Sequence, residues 1–215
     1  MLDRSCRIYI DPPLNFLGAL AARAGLRPNM LTALGLIFGF FCFGALVYGA
    51  YLWALFFLVC SRLFDGLDGT VARLSKTGAT NLGGYYDIVA DFIFYGGFVF
   101  SFALGAVLAG DVALTLPACF LLFSFMASGG SFLAYAAIDA KINTANDTTV
   151  MSAPKHQNKS FHYAAGLCEG TETIIFFTLM CLMPQYFAYL AYGFGALCFV
   201  TALGRTLQAR QAFKA

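Results

Sequence analysis

The segment from Pro28 to Ser61 contains no charged residue, and this run strongly limits what the chain can fold into. A helix needs about 20 mostly apolar residues to cross the hydrocarbon core of a bilayer. The run is too long for one crossing, and the turn-forming residues 48–50 divide it into two. A second uncharged run, from Thr173 to Gly204, is divided in the same way at Pro184. We therefore expect an integral membrane protein.

The composition excludes several other classes of protein. Of the 215 residues, 60% are hydrophobic and 11% are charged, whereas soluble domains carry about 25% charged residues. A cytoplasmic enzyme, a secreted disulfide scaffold and a disordered chain are therefore set aside. The net charge of +2 is too small to indicate nucleic acid as a partner, and the seven cysteines form no CxxC pair. Residues 1–26 lack the pattern of a signal peptide.

The apolar segments predict an all-α, polytopic fold of six transmembrane helices in one domain, residues 1–215. The expected spans cover about residues 29–49, 51–74, 83–108, 113–138, 162–183 and 186–204. Residues 1–27 precede the first span. After Pro12-Pro13, apolar residues recur at helical spacing (Leu14, Leu17, Leu20 and Ala21), which predicts an amphipathic helix lying on the membrane surface. The polar segment 139–160 is expected to be a loop.

The lysines and arginines indicate how the spans are oriented. They concentrate in the N-terminal segment, between the second and third spans, in the loop 139–160 and at the C-terminus. The opposite loops carry only Asp111 as a charged residue, and Arg62 is the one basic residue inside a span. This pattern predicts a multi-pass protein with both termini in the cytoplasm, and we expect it in a membrane of the bacterial inner or plasma type.

Four carboxylates lie where lipid-facing residues would be expected. Asp65 and Asp68 are three residues apart in the second span, and Asp87 and Asp91 are four apart in the third, so each pair shares a helix face. At 1.5 Å per residue they lie roughly 6–14 Å inside the cytoplasmic ends of the spans. Ionisable residues at this depth mark a functional site. Oxygen ligands of this kind favour Mg²⁺ or Mn²⁺ over zinc, and two such ions, with nearby arginines, would offset the charge.

These residues resemble the motif of the CDP-alcohol phosphotransferase family, DxxDGxxAR followed by GxxxDxxxD. The fixed positions are matched by Asp65, Asp68, Gly69, Ala72, Arg73, Gly83, Asp87 and Asp91. Nine residues separate Arg73 from Gly83, where the usual spacer has eight. The six-span layout and the segment Pro28–Thr32, where the chain enters the first span, are also similar to the family.

The resemblance implies a reaction and a division of roles. A phosphatidyl group would pass from CDP-diacylglycerol to the hydroxyl of a small alcohol, releasing CMP, on the cytoplasmic side of the membrane. The four aspartates would hold two metal ions, with Asp91 also acting as general base. Asp68, Gly69, Ala72, Arg73 and Gly83 would line the CMP part of the donor. The family also implies a homodimer.

A second acidic pair points to the acceptor. Glu169 and Glu172 are three residues apart in the fifth span, at roughly 10–15 Å from its cytoplasmic end. One hypothesis places them in an acceptor pocket with His162 and Arg62, where they would disfavour a strongly anionic acceptor. The alternative is that the glutamates only form hydrogen bonds between helices.

Two other classes of membrane protein also carry buried aspartates. A cation carrier would explain the carboxylates but not Gly69, Ala72 and Arg73 at their spacing. Carriers also often have internal repeats, and spans four to six do not repeat the aspartate pattern. An intramembrane aspartyl protease needs only two aspartates and no metal.

Overall fold

The computed structural model describes residues 2–74, 80–147 and 170–213, and side chains within 12–74, 80–142 and 170–213. All regular structure in these ranges is helical. The helices are Leu2–Arg23 (α1), Pro28–Val47 (α2), Tyr51–Leu74 (α3), Asn81–Leu108 (α4), Thr115–Asp147 (α5), Gly170–Leu182 (α6) and Phe187–Ala212 (α7), with a 3-10 turn at Pro184–Tyr186. The expected all-α fold of membrane type is confirmed.

Four of the described segments are long and apolar enough to cross a membrane: Pro28–Val47, Asn81–Leu108, Thr115–Ile142 and Pro184–Ala212. The helix α3 is long enough but carries the charged residues of the motif. The helix α6 is apolar but has only 13 residues in the described range. The first part of the predicted fifth span, residues 162–169, lies outside the described residues. The count of six crossings therefore stays a prediction.

Several helices extend beyond the apolar segments that predicted them. The helix α5 continues to Asp147, so the loop expected from residue 139 begins as helix. The helix α7 continues past residue 204 to Ala212. The helix α4 begins at Asn81 rather than Gly83, because the Thr80 hydroxyl caps it by accepting a 3.0 Å hydrogen bond from the Gly83 N–H. Hydropathy locates the lipid boundary, and a polar helix can continue past it.

The first helix differs from expectation in its start. It begins at Leu2 and contains Pro12 and Pro13, rather than beginning after them. Prolines lack the N–H that would bond a carbonyl four residues earlier, which is why the sequence predicted a helix start there. The expected apolar face is also divided: Leu14 packs towards α2 and α3, whereas Leu17 and Leu20 are exposed.

Phenylalanine is the commonest residue in the main core, which is built from residues of α2, α3, α4, α5, α6 and α7. Phe98 of α4 stacks on Phe177 of α6 with ring centroids 4.0 Å apart, and Phe102 stacks on Phe187 at 4.1 Å. Stacked rings bury large areas in a fixed geometry. At one end of this core Phe94 lies against Arg62, so the core supports α4 just beside the acidic residues.

The helices α2 and α3 approach each other closely just beside the acidic residues. A Cβ atom added at Gly35 would lie 3.2 Å from the Ser61 carbonyl oxygen. The Ser61 hydroxyl donates a 2.7 Å hydrogen bond to the Gly35 carbonyl. Small residues allow such approach between helices in membranes, and here they fix the position of α3 just before Arg62.

Candidate active site

Three of the four predicted metal ligands come together. Asp65 and Asp68 of α3 and Asp87 of α4 each have one carboxylate oxygen that lies within 4.8 Å of the others. Asp68 is buried, and the other two are half-buried. Mg²⁺ binds its oxygen ligands at about 2.1 Å, so opposite ligands lie about 4.2 Å apart. Small side-chain rotations would bring this all-oxygen set to that spacing, so the residues fit such an ion.

Asp68 is fixed by a residue to which the sequence gave no role at the site. The Thr32 hydroxyl of α2 lies 2.5 Å from Asp68 Oδ2 and donates a hydrogen bond to it. The same hydroxyl oxygen lies 3.2 Å from the Pro28 carbonyl, one turn earlier. Partners that orient a metal-binding carboxylate tune the affinity for the metal. The position of Thr32 within the segment Pro28–Thr32 was the only signal for it in the sequence.

The fourth aspartate, Asp91, lies one turn further along α4 and is paired with Arg62. Arg62 Nη1 is 2.7 Å from Asp91 Oδ1 and 3.5 Å from Asp65 Oδ2. The arginine side chain is only 10% exposed, whereas those of Asp65 and Asp91 are 27% and 32% exposed. Arg62 therefore joins the two helices between their carboxylates, and both aspartates stay accessible.

Arg62 is enclosed by groups that fix its own orientation. Its Nη2 donates a 3.2 Å hydrogen bond to the Ser61 hydroxyl. Its guanidinium carbon lies 4.1 Å from the centroid of the Phe94 ring and 5.9 Å from that of Tyr95. Arginine stacks favourably on aromatic faces in this way.

The residues expected around the donor lie near the ends of α3 and α4. Arg73 is exposed and donates a 3.0 Å hydrogen bond to the Thr70 hydroxyl. A Cβ added at Gly69 would lie 3.9 Å from Arg73 Nη1. A Cβ added at Gly83 would lie 3.4 Å from Oδ1 of Asn29, a second α2 residue to which the sequence gave no role. Ala72 is half-buried on α3.

Of the expected acceptor residues, Glu172 lies in the first turn of α6 and is half-buried. This end of α6 is close to Asp91: a Cβ added at Gly170 would lie 3.9 Å from the Tyr95 hydroxyl, and that hydroxyl interacts with the Asp91 carboxylate. Glu169 and His162 lie outside the described residues.

Comparisons with known proteins agree on one family. Residues 26–204 match the family model described as CDP-alcohol phosphatidyltransferase. The chain is 41% identical over 205 residues to the inner membrane protein YnjF of Escherichia coli, covering 95% of this chain and 93% of that protein. It also resembles the crystal structure of Mycobacterium tuberculosis phosphatidylinositol phosphate synthase with CDP-DAG bound, with a TM-score of 0.66, 18% sequence identity and 94% of each chain covered. At that identity, the structural likeness shows a shared fold.

Proposed function

Because this chain belongs to the CDP-alcohol phosphatidyltransferase family and is an enzyme of that class in the membrane, we propose that it transfers a phosphatidyl group from CDP-diacylglycerol to a small alcohol. The observation that carries the proposal is the cluster of Asp65, Asp68 and Asp87, which lies inside the matched segment. The product would be a phospholipid, and CMP would be released. The expected cytoplasmic termini and homodimer stay predictions.

CDP-diacylglycerol is the donor that the structural neighbour supports, since that synthase was crystallised with it. In this chain the CMP part would lie beside Asp68, Gly69, Ala72, Arg73 and Gly83. The absence of side chains at Gly69 and Gly83 leaves the backbone of α3 and α4 open to a bulky ligand. Exposed Arg73 supplies positive charge at the same edge.

The carboxylates support Mg²⁺ or Mn²⁺ as the cofactor, and we propose two ions held by Asp65, Asp68, Asp87 and Asp91. The donor set consists of carboxylate oxygens, which both ions prefer. When bound, the ions neutralise charge on the pyrophosphate and on the departing CMP.

The protein's own residues would then position the reactants and accept a proton. The acceptor hydroxyl oxygen forms a bond to the phosphorus of the phosphatidyl group, and the bond from that phosphorus to the CMP oxygen breaks. Asp91 takes the hydroxyl proton, since it is partly exposed and lies beside the cluster. A general base of this kind must be within hydrogen-bonding reach of the acceptor hydroxyl.

The acceptor would bind between Asp91 and the first turn of α6. Tyr95 interacts with Asp91 and lies beside Gly170, so a molecule touching Asp91 on this side is close to the turn that carries Glu172. We propose that Glu172, with Glu169 and His162, binds hydroxyl or amine groups of the acceptor. This acidic lining would disfavour a strongly anionic alcohol.

The test is CMP release by the purified protein in liposomes that contain CDP-diacylglycerol, with a panel of alcohols and either Mg²⁺ or Mn²⁺. We expect metal-dependent CMP release with at least one uncharged or amine-bearing alcohol. The variant Asp91→Asn should bind the donor and release almost no CMP. Failure of the wild-type protein to release CMP with every alcohol and either metal would overturn the proposal.

A further inference from the structure

We propose that Arg62 is a positioning residue for the transfer reaction: its guanidinium fixes the carboxylates of Asp65 and Asp91 relative to each other across α3 and α4. This inference rests on the proposed function, because it concerns the base and a metal ligand of that reaction. Arg62 lies three residues before Asp65 and outside the fixed positions of the DxxDGxxAR motif.

The contacts of Arg62 leave each carboxylate able to act. Its Nη1 contacts Asp91 Oδ1 at 2.7 Å and Asp65 Oδ2 at 3.5 Å. Both aspartates stay partly exposed, at 27% and 32%, so each can still meet an ion or the acceptor. Because the two aspartates belong to different helices, the arginine also fixes the spacing between those helices at the reacting end. The 2.7 Å contact with Asp91 is a charge-assisted hydrogen bond, which is among the stronger polar contacts in proteins.

Arg62 can fix its partners because it is itself fixed. Ser61 accepts a hydrogen bond from its Nη2 and donates one to the Gly35 carbonyl, so the guanidinium is linked to the backbone of α2. The ring of Phe94, which is fully buried, covers the guanidinium at 4.1 Å. A side chain that only neutralised charge would not need contacts on both α3 and α4 and a link through Ser61 to α2.

A comparison within the chain separates positioning from simple neutralisation. Arg73 lies on the same helix and carries the same charge, but it is exposed and bonds Thr70, a residue of its own helix. Arg62 instead bridges two helices from an almost buried position. Lysine at position 62 would keep the charge but lose the planar fork and the stacking on Phe94.

The experiment measures kcat, the KM for CDP-diacylglycerol and Mn²⁺ binding for Arg62→Lys and Arg62→Met. Displacement of a reacting group by about 1 Å costs about 100-fold in rate, so we expect kcat to fall by about that factor in both variants. The KM for the donor should change little, because Arg73 and the glycines are untouched. The affinity for Mn²⁺, read by electron paramagnetic resonance, should fall by about 10-fold. Arg210→Met, at an exposed arginine in the last turn of α7, should match the wild type in all three.

Each outcome decides the matter. Wild-type kcat and Mn²⁺ affinity in Arg62→Lys would show that charge alone suffices and would overturn the proposal. Should Arg62→Met fail to fold, Arg62→Ala assayed with added guanidinium replaces it, and recovery of kcat with guanidinium but not with potassium supports positioning. If the wild-type protein releases no CMP, the proposed function fails. The role of Arg62 is then tested by metal binding alone, and an unchanged Mn²⁺ affinity in Arg62→Lys would overturn it.

Discussion

Asp68 is the buried member of the carboxylate cluster, and one hydrogen bond to it predicts how a single substitution should change metal binding. Its Oδ2 receives a 2.5 Å hydrogen bond from the Thr32 hydroxyl. The substitution Thr32→Val removes that donor and keeps the shape of the side chain. We expect the affinity for Mn²⁺ to fall by about 10-fold, as for other partners of metal ligands, measured by titration with electron paramagnetic resonance.

The control for this prediction is Thr206→Val on α7. Thr206 is exposed, and its hydroxyl donates a 2.8 Å hydrogen bond only one turn back, to the Ala202 carbonyl. The variant Thr206→Val should bind Mn²⁺ with the same affinity as the wild type. Equal affinities in the two variants would show that the contact with Asp68 does not act on the metal site.

Glu172 carries the prediction about the acceptor. The substitution Glu172→Gln removes a negative charge from the first turn of α6 and keeps the size of the side chain. We expect the KM for an amine-bearing or polyhydroxyl acceptor to rise by about 10-fold, since a hydrogen bond to a charged group contributes about 1.5–3 kcal/mol. The KM for the donor should stay constant, and Asp111→Asn, at an exposed loop residue, is the matched control. An unchanged acceptor KM and preference would reduce Glu172 to a structural role.

Helical spacing predicts which acidic residues share a face, but it does not predict what faces them from another helix. The intervals within α3 and α4 predicted that all four aspartates could converge, and the structure brings Asp65, Asp68 and Asp87 within 4.8 Å of one another. The bond between Thr32 and Asp68 depends on how α2 is rotated against α3, and the pair between Arg62 and Asp91 depends on the register of α3 against α4. The rotation and register of one helix against another depend on packing at residues such as Gly35. The periodicity within a single helix does not predict that packing.

At the scale of the element, the sequence predicted where helices are apolar better than where they end. The helix α2 was expected at residues 29–49 and occupies Pro28–Val47. The helix α5 runs past its apolar segment to Asp147 because nothing in residues 139–147 breaks a helix: they contain neither glycine nor proline. Conversely, Pro12 and Pro13 did not start α1, so proline is a probable boundary and not a certain one.

The contact between α2 and α4 is tight enough to predict the effect of one methyl group. A Cβ added at Gly105 would lie 2.6 Å from the Leu46 carbonyl oxygen and 3.0 Å from the Val47 Cα. These are backbone atoms, so they cannot rotate away. Gly105→Ala should lower the free energy of unfolding in detergent by about 1–3 kcal/mol, the usual cost of overpacking. The measurement is circular dichroism during titration with a denaturing detergent.

A second glycine of the same helix is the control for this change. At Gly96 nothing lies within 4 Å of an added Cβ, and alanine favours a helix over glycine by up to about 1 kcal/mol. Gly96→Ala should therefore unfold at the same detergent fraction as the wild type, or a slightly higher one. A matching loss of stability in both variants would mean that the helix, and not the contact with α2, responds to the substitution.

At the scale of the whole molecule, large apolar side chains are widely exposed, whereas the charged residues of the site are grouped on two helices. Large side chains such as Trp53, Phe100 and Met126 are 63%, 59% and 75% exposed. A soluble protein avoids large contiguous apolar surfaces of this kind, whereas lipid favours them. The charged residues of the site lie instead from the middle of α3 onwards and in the first half of α4: Arg62, Asp65, Asp68, Asp87 and Asp91. These charges are thus grouped at one site, and they contribute little to solubility.

The predicted six crossings would put three turns on the same side of the membrane, and fusions to reporter proteins test this topology. Alkaline phosphatase fused after Tyr48, Asp111 or Gln185 should be active in Escherichia coli, since each point would lie outside the cytoplasm. A fluorescent protein fused to the C-terminus should fold and fluoresce in the cytoplasm. If α3 did not cross, the fusion after Asp111 would be cytoplasmic and inactive. If α6 did not cross, Gln185 would be cytoplasmic and the C-terminus external. The fusions therefore test α3 and α6 separately, the two helices that are not among the four segments long and apolar enough to span a membrane.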